Sequence, residues 1–83
     1  MNEIEAKWVK KIRKELSHAV VIGVRYMTEE EMNAHGWYSK ALVLCLRKGN
    51  KTFFLYPSTD DEGNNAGALF TTLDDLSTIP VMR

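Results

Sequence analysis

Residues 40–56 read KALVLCLRKGNKTFFLY. Two apolar runs, 40–47 (KALVLCLR) and 51–56 (KTFFLY), flank Lys48-Gly49-Asn50, a triplet with the breaker chemistry of a tight turn. This pattern predicts an antiparallel hairpin. Pro57 closes its second strand, because proline has no N–H to give to a ladder. Side chains alternate along a strand, so Leu42, Leu44 and Leu46 point one way while Ala41, Val43 and Cys45 point the other. Phe53 and Leu55 oppose Phe54 and Tyr56 in the same manner. Both faces are apolar, and the hairpin is therefore expected to be covered on both sides.

Upstream, residues 2–17 carry Ile4, Trp8, Ile12 and Leu16 at every fourth position, with Val9 beside them. At 100° per residue these form one apolar stripe, which predicts an amphipathic helix. Asn2 and Glu5 stand at the spacing of a capping box, and Glu3 precedes Lys7 by four, the favourable order for a helix ion pair. Residues 18–27 centre on AVVIGV, short and rich in β-branched side chains, and predict a strand. Val20, Ile22 and Val24 are expected on one of its faces and Ala19 and Val21 on the other. Gly23 inside it marks a bulge or a close backbone approach. Thr28-Glu29-Glu30-Glu31-Met32 then opens a short helix, with Thr28 as cap, Glu31 in the reciprocal position, Met27 and Met32 as a flanking staple and Gly36 as terminator.

Beyond the hairpin, residues 58–67 (STDDEGNNAG) read as a polar loop and 68–73 as a short fourth strand. Asp74-Asp75-Leu76 reads as one helical turn and 78–81 as an extended edge. The fold class is α+β: an N-terminal amphipathic helix, a small sheet of three or four mainly antiparallel strands, and a short second helix between strands one and two. With 83 residues the chain forms a single domain, 1–83, made of the helix at 1–17 and a sheet-containing core at 18–83. A chain of this size buries only about 60% of the surface it exposes when unfolded. One long helix and one of about two turns are too little to roof both faces of such a sheet. Two resolutions follow. Either the sheet curls into a small barrel, or a second copy covers it. Association is preferred, as a dimer, because small cores gain most from it.

Composition narrows the partners. Eleven Lys and Arg balance eleven Asp and Glu, so bulk charge points to neither nucleic acid nor a membrane surface. No apolar run approaches the roughly 18 residues of a spanning helix, and the charged opening MNEIEAKW lacks the apolar core of a secretory leader. Cys45 is the single cysteine, which fits a reducing, cytoplasmic setting.

Three constellations carry chemical content. Asp60-Asp61-Glu62-Gly63-Asn64-Asn65 opens like a calcium loop. The match then fails, with Asn65 where glycine is needed and Thr71 where glutamate is needed. A hard-cation site on Asp60, Asp61 and Glu62, completed by Asp74 or Asp75, competes with a plain solvated turn, and the turn is preferred. Second, Trp37 and Tyr38 follow a helix stop. They form either an exposed platform for a peptide or base, or a Trp37 pin holding the short helix to the sheet with Tyr38 exposed. Third, Lys7, Lys10, Lys11 and Lys14 stripe one helix face, which suits phosphate contacts but is also the ordinary outer face of a surface helix. Trp8 lies on the opposite, apolar side, so the lysines have no interleaved aromatic.

The remaining groups point to no reaction. His18, His35 and Cys45 lack metal-ligand spacing, and Cys45 reads as a core thiol. No serine sits in a nucleophile-elbow context and no glycine pattern cradles a phosphate. If Arg25 and Tyr26, at the end of the first strand, reach the acidic loop, Arg25 is expected to neutralise its carboxylates rather than to bind substrate.

Tyr26-Met27-Thr28, Gly36-Trp37-Tyr38, Pro57-Ser58, the run 60–70 (DDEGNNAGALF) and Ile79-Pro80-Val81 together resemble small uncharacterised proteins of bacterial and phage genomes. The likeness covers about residues 20–82 and leaves the first helix as a variable addition. It implies no activity, cofactor or partner. It directs attention to the acidic loop and the aromatic step.

The expected function is a small, non-catalytic, self-associating protein-interaction module, with no cofactor. It would present Trp37, Tyr38, Arg25 and the loop residues Asp60, Asp61, Glu62 and Asn64 to a protein partner. The alternatives are a nucleic-acid accessory protein acting through Lys7, Lys10, Lys11 and Lys14, and a divalent-metal-dependent enzyme at the acidic loop. One stability prediction separates a packed first helix from a free basic arm. If the stripe is packed, Trp8→Ala costs on the order of 3 to 5 kcal/mol in denaturant unfolding; if the helix floats, the midpoint does not move.

Overall fold

A computed structural model describes residues 2–58 and 67–82. Helix α1 runs over Glu3–Leu16, strand β1 over Val20–Tyr26, helix α2 over Glu29–Ala34, and strands β2 and β3 over Leu42–Lys48 and Lys51–Pro57. Strand β4 (Leu69–Thr71), a 3₁₀ turn (Asp74–Leu76) and strand β5 (Thr78–Ile79) complete the chain. The strands form one five-stranded antiparallel sheet in sequence order, β1-β2-β3-β4-β5. The class is α+β as expected. The sheet is larger by one strand than the sequence suggests, because the two-residue β5 pairs with β4 and makes the tail a fifth strand. It is also open, which overturns the barrel: β1 and β5 are opposite edges and do not pair.

Local chemistry explains the elements. Asn2 Oδ1 accepts the Glu5 N–H at 2.7 Å and caps α1. The expected Glu3–Lys7 pair does not form; among the described residues the ion pairs are Arg25–Glu31 and Lys51–Glu15. Thr28 and Glu31 make a complete capping box at the start of α2, and Gly36 ends that segment with φ 73°. In the hairpin Lys48 faces Lys51, so the turn is Gly49-Asn50 alone. Gly49 has φ 61° while Asn50 has no positive φ, the pattern of a type II′ turn.

The core lies between α1 and one face of the sheet. Leu46, Phe53, Leu73, Leu76 and Ile79 are buried there, with Trp8, Ile12, Leu16, Ala19, Leu44 and Leu55 packed around them. Phe53 is 1% exposed and sits opposite Leu46 across the hairpin. Thr71 is the buried polar residue of this region, and its hydroxyl is satisfied. It donates to the Leu76 carbonyl and accepts the Leu73 N–H at 3.0 Å, stitching the 3₁₀ turn under α1. Lys48 Nζ donates to the Lys14 carbonyl, so the end of α1 is tied to the hairpin.

The faces of β1 differ from simple alternation. The register slips between Val21 and Gly23, leaving Ile22 as an extra residue. Val21 therefore faces Leu46 and Val24 faces Leu44, which puts both valines on the α1 side. The sequence reading had placed Val24 with Val20 instead. One bulge residue reverses every later side chain of the strand.

Trp8 is half-buried rather than enclosed, which lowers the expected cost of its truncation. Trp8→Ala is now expected to cost about 2 to 3 kcal/mol, and Phe53→Ala about 3 to 5, in equilibrium urea unfolding. Equal losses at the two positions, or none at Trp8, would contradict the packing described.

Candidate functional site

Of the singled-out residues, Arg25 and Trp37 lie on the face of the sheet opposite α1. Helix α2 crosses it, from Arg25 on β1 to Tyr56 and Phe70 on β3 and β4. Met27 and Val43 are buried on the way. At the β1 end Arg25 makes a two-pronged pair with Glu31. Its two terminal nitrogens lie 2.7 and 3.0 Å from the carboxylate oxygens, and one also donates to the Tyr26 carbonyl at 3.1 Å. The guanidinium lies 5.3 Å from the Phe54 ring centroid. Arg25 is therefore partnered by the α2 capping glutamate, a contact the sequence reading did not include, while the acidic loop lies outside the described residues. A glutamate one turn into a helix is close in space to the strand that leads into it, and the capping box points it back that way.

The same pair sets the electrostatics. Hydrogen bonds from Arg25, and then from the Thr28 N–H at 2.8 Å, hold the Glu31 carboxyl at about 2, below its ordinary 4.5. The hydrogen bond from Arg25 to Glu31 raises the Arg25 value in turn. Both side chains keep 41% of their surface in water, so the pair orients α2 more than it stabilises the fold.

At the other end is an aromatic group that the sequence reading did not assemble. His35 stacks on Trp37 with centroids 4.6 Å apart and 21° between planes. It also approaches Tyr56 at 5.4 Å and Phe70 at 6.4 Å, and Tyr56 meets Phe70 edge-on at 5.7 Å. Trp37 is half-buried, and its backbone N–H donates to the Met32 carbonyl at 3.1 Å, closing the C-terminal end of α2. Tyr38 is 101% exposed and has no part in the stack. Tyr56 and Phe70 were visible as strand aromatics. What hid the cluster was the β3–β4 register, which pairs them directly.

The other candidates stay apart. Lys7, Lys10, Lys11 and Lys14 are exposed along α1, on the far side of the sheet from Trp37. Lys11 Nζ stands 5.1 Å from the Trp8 ring centroid, so the aromatic and basic faces of α1 meet at that margin, contrary to the clean separation expected. Cys45 is half-buried opposite Gly23 and Phe54. A cleft of about 230 Å³ opens between Glu15, Lys51, Thr72 and Asp74, where Lys51 lies 3.5 Å from Glu15. Asp60, Asp61, Glu62 and Asn64 lie outside the described residues. Among the described residues no three His, Cys, Asp or Glu side chains gather as a metal site. Among those residues, too, no helix is long and apolar enough to cross a membrane.

Comparison with protein-family models, with curated proteins and with solved structures finds no match to this chain.

The Arg25–Glu31 pair makes a pH prediction. Glu31 is held below its unfolded value, so its contribution is complete above pH 4.5 and is lost as pH falls toward 2. Glu31→Gln keeps the shape and removes the titration. The stability difference between the parent chain and this variant, from urea midpoints, should shrink as pH falls through that window. A difference independent of pH would show that the pair is not formed.

Proposed function

We propose that the chain is a small, non-catalytic protein-interaction module that associates with itself, most simply as a dimer, in the cytoplasm. The observation that carries this reading is the exposure of β1. Every residue of the strand except Gly23 is exposed, although five of the seven are Val, Ile or Tyr. Apolar side chains on an edge strand lose free energy to water that a covering surface would recover, at about 25 cal/mol per Å². Such a surface is where association is found.

The burial of the rest of the sheet supports the same reading. Leu46 and Val43, three residues apart on opposite faces of β2, are both buried, so α1 and α2 cover the sheet at its centre. Coverage runs out toward β1. On the α1 side Val21, Val24 and Tyr26 are 51, 60 and 67% exposed, and Leu42 beside them is exposed as well. Tyr38, fully exposed, adds a free aromatic for a second protein. Arg25 and Glu31 are committed to each other, and Thr71 to the 3₁₀ turn. A non-catalytic role is consistent with that use.

Size-exclusion chromatography with light scattering tests this reading. Across a rising concentration series the mass should climb from 9.5 kDa toward twice that value. A constant monomer mass at every concentration would overturn it.

A further inference from the structure

We propose that the outer edge of β1 docks on β1 of a second copy, antiparallel across a two-fold axis, so that the two sheets become one. This rests on the self-association reading and names its surface and geometry.

The backbone selects the kind of occupant. The Met27 N–H donates to the Ala41 carbonyl at 2.9 Å, which places Met27 in a hydrogen-bonded pair with β2. Along an antiparallel strand such pairs alternate. Arg25 and Gly23, paired with Val43 and Cys45, also turn their polar groups toward β2. The N–H and C=O of Val24 and Tyr26 then point outward, and among the described residues no strand lies on that side. A row of such groups is satisfied by an extended strand.

The side chains favour an edge contact over stacked faces. Val21, Val24 and Tyr26 are exposed on the α1 side and Val20 on the other. A sheet stacked on one face would cover only one of these sets. A strand laid alongside touches both.

Charge does not oppose a second copy. Arg25 is the one charged residue in β1, and Glu31 of its own chain neutralises it at 2.7 and 3.0 Å. The edge carries neither Lys nor Pro, the residues that keep edges apart. The whole chain has equal numbers of acidic and basic groups, so two copies approach without net repulsion. Centring the axis on Val24 sets Arg25 against Gly23 of the partner subunit, while its guanidinium stays turned inward to Glu31 and the Phe54 ring. The same register sets Tyr26 beside Ile22 of the partner subunit, an aromatic–β-branched pair. An antiparallel pairing of this kind keeps both α1 helices on one side of the joined sheet. The strips of Val21, Val24, Tyr26 and Leu42 from the two copies then merge into one apolar floor between the helices.

The experiment uses the full chain. Amide hydrogen exchange is followed residue by residue at dilute and concentrated protein, beside light scattering on the same samples. As the dimer forms, the Val24 and Tyr26 amides should slow by about tenfold or more. Val24→Pro removes an outward N–H while sparing the ladder to β2, and it should stay at monomer mass with the parent's circular dichroism. A dimer in which the Val24 and Tyr26 amides exchange as fast as in dilute protein overturns the edge pairing and leaves self-association standing. A chain that never dimerises removes both. If the proline variant does not fold, the exchange rates of the parent chain decide the matter alone.

Discussion

The structure depends on Phe53. It is the ring on which α1, the hairpin and the C-terminal segment converge, packed with Leu46 from β2 and with Leu73, Leu76 and Ile79 from the end of the chain. A domain this small has room for one such nucleus. Everything at its edge is only partly covered: Trp8, Ile12, Leu16, Leu44 and Leu55 touch the core without being enclosed by it. The long helix lies over β2, β3 and the 3₁₀ turn because the largest apolar side chains are there. Strand β1 is left outside that footprint.

The second face has a different logic. Its cover is one short helix, too short to be stable by itself. It is held at both ends by specific contacts, the Arg25–Glu31 pair at one and His35 against Tyr56 and Phe70 at the other. The capping glutamate does two tasks, closing the helix N-terminus and reaching back to the strand that precedes it. Burial is shallow on this side, and polar and aromatic geometry replaces it as the organising influence.

Much of the local structure was legible from residue chemistry. The four-residue spacing of Ile4, Trp8, Ile12 and Leu16, the Thr28–Glu31 box, the Gly36 stop and the Gly49-Asn50 turn each have a physical reason that acts within a few residues. The candidate site was less legible. The Arg25–Glu31 pair was hidden because it joins a strand to the helix that follows it, six residues on. His35 looked inert until the β3–β4 register put Tyr56 and Phe70 beside it. Pairings of this kind depend on strands brought together from distant parts of the chain.

By itself, then, the sequence determined the α+β class, the elements, their caps and the excess of apolar strand surface. These follow from periodicity and from backbone preferences, which are properties of short windows. Only the tertiary structure decided that the sheet stays open, that a two-residue tail segment becomes its fifth strand, and that the uncovered surface falls on β1. The bulge at Ile22 shows why. One extra residue in a ladder changes which way every following side chain points, and a ladder exists only once two strands have met.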